Sequence, residues 1–262
     1  MYGSFVAIGD SFTEGLDDPA ADGSYRGWAD RVAERLAAGN PRFRYANLAV
    51  RGRMLAGIVD EQLPVAAAMR PELVSIGGGG NDVLRRSCDA GQLAARMRAA
   101  IHALAATGAH VLVFAGFDPS PLVPLRSLPA RAATLNDACR NAAAEVGGTL
   151  VDLWRLPVLN DPRMWSVDRI HLSSEGHARV AGAVLEALGI EAGSGWAASL
   201  PAAPPRPWRT RRASDARWTW TYLRPWLLRR LRGQSSGDAI TAKRPELAPW
   251  QLSVRGSASP HA

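Results

Sequence analysis

Two short segments, far apart in the sequence, carry the side chains needed for nucleophilic catalysis. Ser11 lies in the segment GDSFTEG at 9–15, and Asp168 and His171 are three residues apart in DRIH at 168–171. A serine hydroxyl becomes a nucleophile when an imidazole accepts its proton and a carboxylate orients that imidazole. The sequence therefore predicts a hydrolytic site with Ser11 as nucleophile, His171 as base and Asp168 as the orienting carboxylate.

The position of Ser11 behind an apolar run fits this chemistry. Residues 5–8 (FVAI) have the composition of a buried strand. In α/β proteins ligands bind at the carboxyl ends of the strands, where the helix that follows offers unpaired backbone N–H groups to an anion. Gly52 and Asn81 also follow strand-like runs. We therefore expect Gly52 and Asn81 to lie at the same sheet edge as Ser11.

Four segments resemble, in order, the sequence blocks of the SGNH hydrolase family, the GDSL-type lipases and esterases. They contain Ser11, Gly52, Asn81 and His171, and the resemblance spans roughly residues 3–190. It implies ester hydrolysis without a cofactor on a five-stranded, flavodoxin-like sheet. It also implies that Ser11 N–H, Gly52 N–H and the Asn81 side-chain amide stabilise the oxyanion.

The same residues also have alternative interpretations when each is taken alone. Ser11 could cap a helix, Asn81 could lie in a turn, and His171 could share a metal with His177. The chain lacks the His-Glu-x-x-His and Cys-x-x-Cys patterns, so no metal site is predicted. The nucleophile segment also lacks Gly-x-Ser-x-Gly, which argues against the α/β-hydrolase fold.

Apolar runs of strand length alternate with longer stretches of helical periodicity. The runs lie at 4–8, 43–49, 72–77, 110–116 and 148–153. Such alternation favours a parallel sheet with right-handed crossovers and helices on both faces. We predict an α/β fold, a three-layer α/β/α sandwich around a five-stranded parallel sheet.

The substrate pocket is predicted from residues near the same sheet edge. Phe117 and Leu122 are candidates for its wall because the proline-rich, apolar loop 116–125 follows the fourth strand. The loop could equally be a rigid connector. Trp165 lies just before the DRIH segment and is a further candidate, and Asp10, next to the nucleophile, either borders the pocket or braces the turn.

The positive charge of the chain lies in its C-terminal part. From Pro201 onward twelve Lys and Arg residues stand against three Asp and Glu, whereas residues 1–200 have nineteen against twenty-one. We predict a catalytic domain over 1–195, a Pro-rich linker over 196–207, a basic Trp-rich extension over 208–232 and a disordered tail over 233–262.

Three roles are open for the Trp-rich extension. Its tryptophans and Leu227 would form a large apolar patch if exposed together, so we expect 208–232 to pack on the catalytic domain or on another subunit. A short basic amphipathic helix is predicted over 225–233. The alternatives are contact with an anionic membrane surface and, less favoured, nucleic-acid binding through interleaved Arg and Trp.

The remaining composition predicts a cytoplasmic enzyme. The chain has two cysteines, no signal-like start and no apolar stretch of the roughly 18 residues that span a membrane. We predict a serine esterase that cleaves a small carboxylic ester through an acyl-serine intermediate. The alternative is a catalytically weak protein of the same fold whose basic tail contacts an anionic membrane or nucleic acid.

Overall fold

A mixed sheet forms the centre of the molecule. The computed structural model describes residues 2–20, 23–118, 127–193, 195–202, 208–225 and 237–250. Its strands are β1 (Ser4–Gly9), β2 (Arg44–Asn47), β3 (Leu73–Gly77), β4 (His110–Ala115), β5 (Thr149–Asp152) and β6 (Arg244–Pro249). Their order across the sheet is β5-β4-β3-β1-β2-β6.

The first five strands are the predicted ones. β1 pairs in parallel with β2 and β3, β3 pairs with β4, and β4 pairs with β5. Their order is 2-1-3-4-5, the flavodoxin-like arrangement that the sequence resemblance implied. The prediction of an α/β fold is confirmed, and most of the sheet is parallel.

The sixth strand shows that two predictions are wrong. β6 pairs antiparallel with β2, so the sheet has six strands and is not wholly parallel. It also lies inside the segment 233–262 that was predicted to be disordered. The sequence of β6, RPELAP, contains two prolines and alternates poorly, but proline is tolerated in an edge strand because one side of that strand makes no ladder bonds.

Helices cover both faces of the sheet. They are α1 (Ser11–Glu14), α2 (Gly27–Ala38), α3 (Leu55–Gly57), α4 (Leu63–Ala68), α5 (Gly80–Val83), α6 (Ala90–Ala105), α7 (Ser127–Glu145), α8 (Ser174–Ala187) and α9 (Trp208–Trp218). One turn of π-helix, Ile58–Gln62, joins α3 to α4, and another, Thr219–Leu223, follows α9. Among the described residues no helix is both long and apolar enough to cross a membrane.

Alternate residues of β1 supply the two halves of the core. Ile8 packs in a cluster with Met97 of α6, whereas Phe5 packs on the opposite face with Trp28 of α2 and Val184 of α8. Successive side chains of a strand point to opposite faces, and burial of both faces explains the continuous apolar run of β1. The result is three layers, with α2 and α8 on one face and α6 and α7 on the other.

Short polar side chains fix where several helices begin. Asp10, Asp89 and Ser173 are the N-caps of α1, α6 and α8, and each side chain accepts a hydrogen bond from a backbone N–H in the first turn. A cap of this kind contributes about 1 kcal/mol. The cap of α1 matters most for the site because Ser11 is the next residue.

The predicted extension 208–232 is described only in part. Its described portion contains α9, whereas Trp226, Leu227 and most of the predicted helix 225–233 lie outside the described residues. Trp218 is half-buried, but Trp208 and Trp220 are 62% and 65% exposed. Within one chain, Trp208 and Trp220 therefore do not pack on the catalytic domain, and the predicted packing on another subunit stays a prediction.

A largely buried ion pair attaches the C-terminal segment to α2. Lys243, the single lysine of the chain, directly precedes β6 and forms an ion pair with Asp30. Its Nζ also donates to the carbonyl oxygens of Tyr25 at 2.8 Å and Arg26 at 3.0 Å. Burial lowers the pKa of Lys243 and raises that of Asp30, while the attraction between the two charges opposes both shifts.

Lys243→Met should destabilise the protein because it leaves the buried Asp30 carboxylate without its cation. Removing one partner of a buried pair costs about 3–5 kcal/mol, measured as the free energy of unfolding in urea. The double variant Lys243→Met/Asp30→Asn should recover part of this loss because it leaves no buried charge. A loss below about 1 kcal/mol in the single variant would show that β6 is not fixed by this pair.

Candidate active site

Ser11 is presented by a sharp turn from β1 into α1. Asp10 caps the helix, with Oδ1 accepting from Phe12 N at 3.1 Å. A Cβ atom at Gly9 would clash with Gly77 O and lie 2.6 Å from Thr13 Oγ1, so only glycine fits there. The turn therefore depends on this glycine, and it brings Ser11 to the carboxyl edge of the sheet.

The structure brings the three predicted groups into one hydrogen-bonded chain. His171 Nε2 lies 3.0 Å from Ser11 Oγ, and His171 Nδ1 lies 2.6 Å from Asp168 Oδ2. Because an ionised carboxylate only accepts, the neutral ring carries its proton on Nδ1 and Nε2 accepts from the serine hydroxyl. This is the arrangement in which an imidazole can act as a general base toward serine.

A tight turn orients Asp168 toward the imidazole. Its Oδ1 accepts from Ile170 N at 2.9 Å and from His171 N at 3.0 Å. Arg169, the residue between Asp168 and Ile170, has φ of 60°. This left-handed conformation costs a residue with a Cβ about 1–2 kcal/mol. The contacts of this turn must offset that cost.

A second carboxylate, missed by the sequence analysis, faces the same imidazole. Asp17 Oδ2 lies 3.9 Å from His171 Nδ1 and 2.5 Å from Ser166 Oγ. Ser166 Oγ is also 2.8 Å from Asp168 Oδ1. Because one hydroxyl has one proton, Ser166 donates to only one of the two carboxylates at a time.

These charges set the titration of the site. Burial alone would lower the pKa of His171, but the hydrogen bond and charge of Asp168, with the charges of Asp17 and Asp10, raise it overall. Burial would likewise raise the pKa of Asp168, but the His171 hydrogen bond and charge and the backbone N–H groups lower it overall. The carboxylate therefore stays ionised while the imidazole accepts a proton.

Of the predicted oxyanion donors, Ser11 lies in α1, Gly52 in the loop between β2 and α3, and Asn81 in α5. Asn81 Nδ2 donates to Arg53 O at 3.1 Å and to Asp10 Oδ2 at 3.3 Å. Gly52 has φ of 72°, which glycine adopts without strain. Both amide hydrogens of Asn81 have acceptors, so an oxyanion at this donor would replace the longer contact, to Asp10.

Asp10 is a buried carboxylate at the start of α1, and its predicted place at the border of the pocket stays a prediction. Burial raises its pKa to about 6, although the Phe12 backbone N–H and the charge of His171 act in the opposite direction. The prediction that Asp10 braces the turn agrees with its contacts, since it joins the cap of α1 to Asn81.

Two of the predicted pocket residues contact each other beside the nucleophile. The rings of Phe117 and Trp165 lie 5.0 Å apart, and Phe117 lies 5.5 Å from Phe12, the residue after Ser11. Both Phe117 and Trp165 are partly exposed. Leu122 lies outside the described residues.

His177, the other histidine considered for a metal site, is a core residue. Its Nδ1 accepts from Trp28 N at 3.2 Å, its Nε2 faces Leu16 O at 3.2 Å, and burial lowers its pKa to about 4. Among the described residues, the one group with metal-ligand geometry is Asp17, Asp168 and His171. Its imidazole already binds a carboxylate and Ser11, so hydrogen bonding accounts for the cluster.

The comparison with known protein families identifies the family of this chain. Residues 7–179 match the model of the GDSL-like lipase/acylhydrolase family. The chain belongs to this family. The match includes every residue of the Ser11–His171–Asp168 chain, and it ends inside α8. No curated protein sequence matches significantly.

Several solved structures, two of the three named here being esterases, share the fold of this chain. TesA is 26% identical over 71% of this chain and 97% of its own, with a TM-score of 0.59. Axe2, an acetylxylan esterase from Geobacillus stearothermophilus, is 20% identical over 73% of this chain and 97% of its own, with a TM-score of 0.59. The esterase EstA from Pseudoalteromonas sp. is 14% identical over 71% and 97%, with a TM-score of 0.57.

Asp17→Asn should move the acid limb of kcat/KM for ester hydrolysis to lower pH. Loss of the Asp17 charge lowers the pKa of His171, so that the imidazole stays neutral in more acidic solution. The pH profile of a chromogenic ester measures this shift. Asp137→Asn, an exposed carboxylate on α7, is the control, and an unchanged or raised pKa in Asp17→Asn would contradict the assignment.

Proposed function

We propose that this GDSL-like protein is a serine esterase that hydrolyses carboxylic esters through an acyl-serine intermediate at Ser11. The observation that carries the proposal is the continuous chain from Ser11 Oγ through His171 to Asp168, with links of 3.0 and 2.6 Å. Family membership and esterase structural neighbours support ester hydrolysis as the reaction class.

Acylation begins with attack of Ser11 Oγ on the ester carbonyl carbon. His171 Nε2 takes the hydroxyl proton, and Asp168 stabilises the resulting imidazolium. When the tetrahedral intermediate collapses, the imidazolium gives this proton to the departing alkoxide. The products of this half-reaction are a free alcohol and an acyl group on Ser11.

The negative charge of the intermediate falls on the former carbonyl oxygen. Ser11 N–H, Gly52 N–H and Asn81 Nδ2 are the proposed donors to it. Asn81 is already oriented by Arg53 O, so little reorganisation of its side chain is needed.

Deacylation repeats the same steps with water in place of the serine hydroxyl. His171 removes a proton from water, the hydroxide attacks the acyl carbon, and the proton returns to Ser11 as the carboxylic acid leaves. Every proton in this cycle moves through His171, so the proposed mechanism needs no cofactor.

The partly exposed pair Phe117 and Trp165 supports an ester with an apolar or ring-shaped group beside the scissile bond. Aromatic side chains present large apolar area to such a group, and they also stack on sugar rings. Short acyl esters and acetylated sugars are therefore the first substrates to compare.

A fluorophosphonate probe should label Ser11 and fail to label Ser11→Ala. Only an activated serine reacts, because phosphonylation uses the same base and oxyanion donors as acylation. Peptide mass spectrometry locates the adduct, and a panel of chromogenic esters of increasing acyl length plus acetylated sugars follows turnover. Labelling at Ser173 in place of Ser11 would overturn the proposal, and the fully buried Ser75 provides an internal unreactive control.

Asn81→Ala should lower kcat about 10²–10³-fold with little change in KM, since an oxyanion donor acts in the transition state. Asn141→Ala, an exposed asparagine on α7, is the matched control. A raised KM with unchanged kcat would instead make Asn81 a group that binds the ground state.

A second candidate function is favoured by the exposed tryptophans of the extension. Arg209 and Arg212 lie over the ring of Trp208, and Arg224 lies over the ring of Trp220. Interleaved cations and exposed aromatic rings suit an anionic membrane surface or nucleic acid. Absence of ester turnover, together with salt-sensitive binding to anionic vesicles or nucleic acid, would favour this alternative.

A further inference from the structure

The C-terminal extension contacts the turn that carries the proposed triad. Trp218, the last residue of α9, donates its indole N–H to the backbone oxygen of Asp168 at 2.7 Å. Trp218 is half-buried, whereas Trp208 at the other end of α9 is 62% exposed. The indole of Trp218 therefore binds helix α9 to the backbone of Asp168.

Arg169 makes a second set of contacts with the same helix. Its Nη1 lies 2.8 Å from Asp215 Oδ1, and its Nη2 lies 3.3 Å from Ser214 Oγ. The guanidinium also lies 5.2 Å from the ring centroid of Trp218. Helix α9, which lies outside the core of the catalytic domain, therefore binds two consecutive residues of the turn. It contacts the backbone oxygen of Asp168 and the side chain of Arg169.

These contacts fall on the part of the turn that most needs support. Arg169 has a left-handed backbone, which is unfavourable for a residue with a Cβ and persists only where surrounding contacts impose it. If the turn relaxed, the Asp168 carboxylate would rotate away from His171 Nδ1. A small displacement of a catalytic group lowers the rate strongly.

We propose that Trp218 is a positioning residue of the esterase site, which acts through the Asp168 carbonyl to keep Asp168 and His171 aligned with Ser11. The C-terminal extension then forms part of the active site, beyond the segment that matches the family. This inference rests on the proposed function, and the experiment below separates the two.

The titration of His171 provides a measurement that a purely structural role would not change. The charged groups that face this imidazole are Asp168, Asp17 and Asp10. Loss of the aligned Asp168 hydrogen bond leaves burial, which lowers the pKa of an imidazole, less opposed. Release of the turn should therefore lower the pKa of His171.

The test compares Trp218→Phe with Trp208→Phe in the full-length protein. Phenylalanine keeps a ring beside Arg169 but removes the N–H that binds Asp168. We expect Trp218→Phe to lower kcat about 3–10-fold, the usual effect of one hydrogen bond, with KM within about 2-fold. The pKa of His171, followed by NMR of labelled histidine, should fall in Trp218→Phe and stay at the wild-type value in Trp208→Phe.

Two results would overturn the proposal: wild-type kcat and His171 pKa in Trp218→Phe, or a kcat above the wild type. If Trp218→Phe fails to fold, the second variant is Asp215→Asn, which removes the ion pair of Arg169 with α9 at an exposed site. The kcat and the His171 pKa of Asp215→Asn then decide whether α9 positions the turn. If the wild type neither hydrolyses esters nor reacts with a fluorophosphonate, the proposed function fails, and the NMR comparison still decides whether Trp218 positions Asp168.

Discussion

The close packing of β1 against β3 at their carboxyl ends is the constraint on which the site depends. Gly9 approaches Gly77 too closely for any side chain. The buried Gln62 amide fixes the same residue from the other side, accepting from Gly9 N at 2.8 Å and donating to Gly9 O at 2.9 Å. Ser11 is two residues further on, so a shift of β1 would move its hydroxyl away from His171.

Two carboxylates outside the hydrogen-bonded chain of Ser11, His171 and Asp168 join the segments around the site to one another. Glu14, buried in α1, accepts from Arg51 N at 2.7 Å and forms an ion pair with the Arg51 side chain, next to Gly52. Asp82 accepts from Leu55 N at 2.9 Å. The sequence segments around Ser11 and Asn81 therefore supply both the proposed functional groups and the contacts that fix the neighbouring loops.

The sequence allowed prediction of Ser11, Asp168 and His171 because each lies in a short local pattern and parallel strands end at one edge. It did not reveal Asp17, whose approach to His171 depends on a left-handed backbone at Asp17 and on tertiary packing. β6 was missed for a similar reason. Its pairing with β2 joins residues about 200 positions apart, and its own composition resembles a loop. The Trp218–Asp168 contact likewise has no local signal.

The burial of the single lysine gives this arginine-rich protein an unusual chemical selectivity. Lys243 Nζ is surrounded by two carbonyl oxygens and the Asp30 carboxylate, and its side chain is 17% exposed. Guanidinium groups stay protonated and do not compete for amine-acylating reagents at neutral pH. Apart from the α-amino group, such a reagent has one target amine, which becomes accessible when β6 separates from α2. Acylation at this one amine therefore reports the opening of the sheet edge at a position remote in sequence from Ser11.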